Sequence, residues 1–109
     1  MAFPPYEIRD IALLFVEDES HARDLLARVI SMNYPGLQLY AADNGAVGLE
    51  LFRRHNPDIV VTDISMPVMN GIQMAKEIKA IAPEVVIVAV TAHTDASYLL
   101  SAIETGIHR

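Results

Sequence analysis

The sequence predicts an α/β fold, a parallel sheet covered by helices on both faces, and three observations predict it. Four short apolar runs rich in β-branched residues recur along the chain, each of strand length. Each is followed by a segment whose apolar residues fall at helical spacing. The two patterns alternate as βαβαβαβα with no internal repeat or low-complexity tract, which calls for right-handed crossovers and buried parallel strands.

The first run, Ile11 to Val16, is fully apolar and stops abruptly at Glu17-Asp18-Glu19. A helix follows from near Ser20, with Ala22, Leu25, Leu26, Val29 and Ile30 on one face and Arg23, Asp24 and Arg28 on the other, ending before Pro35-Gly36. Leu37 to Ala42 is the second strand. Asn44 offers an N-cap to a short helix carrying Val47, Leu51 and Phe52, which ends by Asn56-Pro57. Ile59-Val60-Val61 is the third strand and closes on Thr62-Asp63. After a loop from Ile64 to Asn70, a helix beginning at Gly71 is expected to turn Ile72, Ala75, Ile78 and Ile81 inward and Lys76, Glu77 and Lys79 outward, ending at Pro83. Val85 to Val90 is the most apolar strand and closes on Thr91. The last helix, about Ala96 to Thr105, presents Ala96, Leu99, Leu100, Ile103 and Ile107 on one face, with Gly106 expected as its C-cap.

The 109 residues suffice for one domain. Hydrophobic residues make up 52% and charged residues 20%, a balance that favours a buried core over disorder. The net charge of −6 disfavours direct nucleic-acid binding and attraction to anionic membranes, and points to proteins or cations as partners. The absence of cysteine excludes disulfides and thiolate chemistry. No apolar run has the length of a signal peptide or a membrane span, so a cytoplasmic domain is expected.

In open sheets of this kind ligands sit beyond the carboxyl ends of the strands. There the sequence places Glu17 and Asp18 after strand one, Asp63 after strand three and Thr91 after strand four. Three converging carboxylates repel one another unless a cation neutralises them. Hard oxygen ligands with no His or Cys beside them suit Mg²⁺. An Asp in such a place can act as a nucleophile toward phosphorus, with the Thr91 hydroxyl bonding a phosphoryl oxygen and the small Ala92 leaving room for the group. The histidines His21, His55, His93 and His108 show no ligand spacing, and Met66 and Met69 read as loop packing.

The stretches FVEDES (Phe15 to Ser20), VTDISMPVMNG (Val61 to Gly71) and VVIVAVTA (Val85 to Ala92) resemble, in order and spacing, the signatures of response-regulator receiver domains. The likeness runs from about Ile11 to the C-terminus, leaving residues 1–10 as an N-terminal extension and 11–109 as the receiver. It implies a flavodoxin-like sheet of strand order 2-1-3-4. It also implies Asp63 as phosphoacceptor, Asp18 as a direct Mg²⁺ ligand, Glu17 as a ligand through water and the Ser65 backbone carbonyl as a third protein ligand. Thr91 matches the hydroxyl that turns toward the phosphoryl group, and Pro67 and Gly71 the residues that shape the loop. A histidine kinase or phosphotransfer protein is implied as donor.

Two departures stand out. Glu17 replaces the more usual Asp, a mild change. The family's fifth strand, the lysine that ends it and the fifth helix are missing before Arg109, and the only lysines, Lys76 and Lys79, sit on the third helix. The expectation is a C-terminally incomplete receiver, with one sheet face covered by the first helix alone and strand four exposed as an apolar edge prone to self-association. The rival reading is a receiver-like interaction module that no longer accepts phosphate. A flavin site is disfavoured by the acidic Glu17-Asp18-Glu19-Ser20 loop, where a phosphate needs amide donors. An Asp-nucleophile phosphatase is disfavoured by Ser65, which stands where a second Asp is required.

Overall fold

The computed structural model describes residues 10–64, 66, 68–91 and 95–107. The N-terminal extension up to Arg9, together with Ser65, Pro67, Ala92, His93, Thr94, His108 and Arg109, lies outside the described residues. Within them the chain runs β1 (Ala12–Val16), α1 (Ser20–Asn33), β2 (Gln38–Ala42), α2 (Gly45–His55), β3 (Ile59–Asp63), α3 (Gly71–Ile81), β4 (Val86–Val90) and α4 (Ala96–Ile107).

The four strands form one parallel sheet in the order β2-β1-β3-β4, as the resemblance implies. β1 is apolar throughout and β3 is apolar from Ile59 to Val61, because both faces of these central strands are covered. Alternation along them sends Leu13, Phe15, Ile59 and Val61 to one face and Leu14, Val16 and Val60 to the other. On the second face α2 supplies Leu49 and Phe52 and α3 supplies Met74 and Ile78. Met74 and Ile78 are fully buried, each contributing roughly 1.5–3 kcal/mol.

Several inward assignments differ from the sequence reading. Ile72 and Ile81 are about half exposed, and the buried face of α3 is Gly71, Met74 and Ile78. Leu25 of α1 is exposed, leaving Ile30 as the residue that α1 buries completely. On α2, Val47 is exposed while Leu49 and Phe52 are buried. These elements have more apolar residues than the sheet has room for, so the stripe nearest the sheet is buried and its neighbours are left outside.

The last helix brings two further corrections. α4 does not stop at Gly106; it continues to Ile107, which is buried. Gly106 lies inside the helix, where a Cβ would stand 3.2 Å from Ile59 Cδ1, so its bare backbone permits close approach to the sheet. Nor is the first sheet face covered by α1 alone. Leu99, Ile103 and Ile107 of α4 join Ile30, Phe15, Val61, Val88 and Val90 in a single core. The half of that face over β3 and β4 lies beyond the reach of α1, and the apolar stripe of α4 fills it. The Tyr34 hydroxyl ties the two helices together, donating to Glu104 Oε2 at 2.7 Å. Burial, then the adjacent Glu104 carboxylate, pushes the Tyr34 phenol up to about 12.

Candidate functional site

Strand register builds the site. Val16 pairs with Thr62, so Glu17 and Asp18 emerge from β1 beside Asp63 at the end of β3. Asp63 itself pairs with Val90, so Thr91 stands one residue beyond its partner on β4. Residues 17, 63 and 91, far apart in sequence, are thereby brought to one edge of the sheet. One carboxylate oxygen from each of Glu17, Asp18 and Asp63 lies within 4.8 Å of the others. Glu17 and Asp63 are half-buried, whereas Asp18 and Thr91 are exposed.

The electrostatics follow from this crowding. The Glu17 carboxyl is raised above its ordinary value, chiefly because burial penalises its charged form, and further by Asp18 and Asp63 beside it. A bond from the Glu19 N–H, received by Glu17 Oε2 at 3.1 Å, acts in the opposite sense and holds the side chain in place. Three hard carboxylates with no nitrogen or sulfur ligand among them, one held partly against charging, form a donor set suited to Mg²⁺.

Local structure holds each piece. Glu19 caps α1, its carboxylate accepting the N–H groups of His21 at 3.1 Å and Ala22 at 2.6 Å, which lowers its pKa. The cap is thus Glu19, one residue before the Ser20 start read from sequence. After Asp63 the chain is closed by a bond from the Gly71 N–H to the Ile64 carbonyl at 2.9 Å. A Cβ at Gly71 would fall 2.2 Å from the Asp63 carbonyl oxygen, so α3 can begin this close to Asp63 only with glycine. Asn70 and Gln73 complete a reciprocal capping box at the same helix start. Met66 is buried in the α2–α3 core, in keeping with a packing role.

Sequence reasoning passed over two residues here. Arg23, read as outer-face, turns back so that its guanidinium donates to the Glu17 carbonyl at 3.0 Å, bringing positive charge to the acidic edge. Its place in the first turn of the helix that follows an acidic strand end was the available signal. Gly45 is the other; its contact with Met69 has no local signature. Lys79 donates to the carbonyls of Pro83 and Val85 at the amino end of β4, opposite the site, and Lys76 is exposed on α3. His21 and His55 are exposed, and His55 stacks on Tyr40 with ring centroids 4.0 Å apart. Among the described residues no helix is long and apolar enough to cross a membrane.

Comparison with known proteins agrees with this fold. Residues 13–109 match the family described as the response regulator receiver domain. The chain is 36% identical over 95 residues to the chemotaxis protein CheY of Bacillus subtilis, covering 86% of this chain and 78% of that protein. It is 31% identical over 94 residues to the regulatory protein AtoC of Escherichia coli, covering 86% of this chain but 20% of that longer protein. A response regulator receiver domain protein from Clostridium thermocellum superposes with a TM-score of 0.70 at 26% identity, covering 88% of this chain and 76% of that one. Vibrio cholerae CheY4, at 16% identity and a TM-score of 0.76, shares the fold, covering 87% of this chain and 97% of that one.

Proposed function

The chain belongs to the response regulator receiver domain family, and from that membership we propose that it is a phosphorylation-dependent signalling switch whose acceptor is Asp63. The observation that carries the proposal is the convergence of Glu17, Asp18 and Asp63, with oxygens within 4.8 Å, at the sheet edge that Thr91 also reaches. Asp18 and Asp63 would hold Mg²⁺ directly with the Ser65 carbonyl, and Glu17 would hold it through water. Bound there, Mg²⁺ supplies positive charge that screens the approach of an anionic phosphoryl group to an anionic acceptor.

The residues of the chain do the rest. An oxygen of the Asp63 carboxylate attacks phosphorus and a new O–P bond forms. The P–N bond to the donor imidazole breaks, and its electron pair leaves with that nitrogen. The Thr91 hydroxyl donates to a phosphoryl oxygen of the product and links it to the segment entering α4. The donor is a phosphohistidine on a kinase or phosphotransfer protein, and the setting is the cytoplasm. The acidic surface argues against direct nucleic-acid binding by this domain.

Incubation with a small acyl phosphate and Mg²⁺, followed by intact-mass measurement, tests the reading. One Mg²⁺-dependent phosphoryl adduct, absent from Asp63→Asn, is expected. Mg²⁺ binding with no adduct would instead favour a receiver-like interaction module.

A further inference from the structure

The loop that follows Asp63 is held from outside as well as from its own ends. Gly71 fixes its base through the bond to Ile64. Near its far end, the first residue of α2, Gly45, donates its backbone N–H to the Met69 carbonyl at 3.2 Å. Gly45 is buried, and a Cβ there would lie 2.3 Å from the Met69 carbonyl oxygen, 3.0 Å from the carbonyl carbon and 2.9 Å from Met69 Cβ. None of those atoms belongs to a flexible side-chain end that could swing away. A side chain at position 45 therefore displaces either the loop or the start of α2. Ser65, whose carbonyl is assigned to the metal, lies in sequence between the two anchored positions, Ile64 and Met69.

We propose that Gly45 is a positioning residue for the metal site: the bare N-terminus of α2 sets where the acceptor loop lies relative to Glu17, Asp18 and Asp63. The proposal rests on the reading of that cluster as an Mg²⁺ site. Gly45 touches no ligand and acts through the Met69 backbone. Gly48, one turn along the same helix, provides the internal control. It is also buried, but a Cβ there meets the Met74 thioether at 2.8 Å and Val16 Cγ2 at 3.0 Å, core side-chain atoms and no backbone of the loop.

The test is Mg²⁺ titration of the full chain, wild type against Gly45→Ala and Gly48→Ala, read by calorimetry and by backbone amide signals, with a thermal melt for each. Both variants are expected to melt at lower temperature. Gly45→Ala should bind Mg²⁺ about tenfold or more weakly, the usual scale for disturbing groups that orient a ligand, and Gly48→Ala should bind as wild type does. Wild-type affinity in Gly45→Ala, or equal weakening in both variants, overturns the proposal and leaves the metal site standing. Failure of the wild type to bind Mg²⁺ overturns the reading of the site and the proposal with it. Should Gly45→Ala fail to fold, the wild-type spectrum decides: the Gly45 amide signal is expected to move on Mg²⁺ addition while Gly48 stays, and a stationary Gly45 signal refutes the coupling.

Discussion

Replacing Asp63 by Asn should make the metal-free protein more stable at neutral pH, because the native fold holds like charges together that the unfolded chain separates. Oxygens of Glu17 and Asp63 lie within 4.8 Å of each other. Two unit charges at that distance repel by about 3.5 kcal/mol at an effective dielectric of about 20 and by about 0.9 kcal/mol in water. Both groups are half-buried, so the expected gain lies between those limits, at roughly 1–2 kcal/mol. The raised Glu17 carboxyl, caused first by burial and then by its acidic neighbours, points the same way. A carboxyl raised in the folded state costs nothing below its ordinary value of 4.5 and destabilises as pH climbs through the raised value. The gain from Asp63→Asn should therefore be present at pH 7 and vanish toward pH 4. Mg²⁺ at ten times its dissociation constant should add about 1.4 kcal/mol to the wild type, and less to a variant that has lost a ligand charge. Urea unfolding followed by circular dichroism, with chelator or Mg²⁺ at each pH, measures all of this. A variant no more stable than wild type in chelator at pH 7, or a gain that persists at pH 4, would refute the convergence of charge.

Three further outcomes are expected. Val68, a β-branched and exposed residue, holds a φ of 71°, so Val68→Gly should raise the unfolding free energy by about 1 kcal/mol and with it the urea midpoint, the strain relieved exceeding the added chain entropy; a lowered midpoint would refute the strain. The bond from Tyr34 to Glu104 is worth about 1 kcal/mol, and because the folded phenol is raised to about 12 this contribution is complete below pH 10 and lost as pH rises to 12. Tyr34→Phe should be less stable at pH 8 and show a flatter alkaline limb in thermal melts from pH 8 to 12. Finally, β4 is an edge strand of the described sheet, so the chain should self-associate at rising concentration by light scattering, and Ala89→Lys on its exposed face should weaken the association; a monomer at every concentration counts against pairing along β4.

The order of elements and the grouping of Glu17, Asp18 and Asp63 were legible in the sequence because both depend on local pattern. Apolar runs such as Val85 to Val90 alternate with helical stripes, and each acidic or hydroxyl residue of interest ends a strand. Parallel topology then sends all such ends to one edge, so Glu17, Asp18 and Asp63 could be grouped before any distance was known. Periodicity was less informative about which side of a helix wins. Ile72, Ile81 and Leu25 satisfy the spacing yet stay exposed, whereas Met74, outside the expected stripe, is buried beside Ile78, because the sheet admits one narrow stripe from each helix.

Tertiary structure alone decided the rest. A helical stripe specifies that α4 must bury Leu99, Ile103 and Ile107, but either sheet face would satisfy it locally. The choice of the α1 face depends on the uncovered half formed by Val61, Val88 and Val90, on the close approach at Gly106 and on the bond to Tyr34, all contributed by distant parts of the chain. The same holds for Gly45 against Met69: one opens a helix and the other lies in a loop, and only the packing of α2 beside the loop after Asp63 brings the two backbones into contact. Local pattern thus determined which side chains end the strands, while long-range packing determined how they are brought together and held.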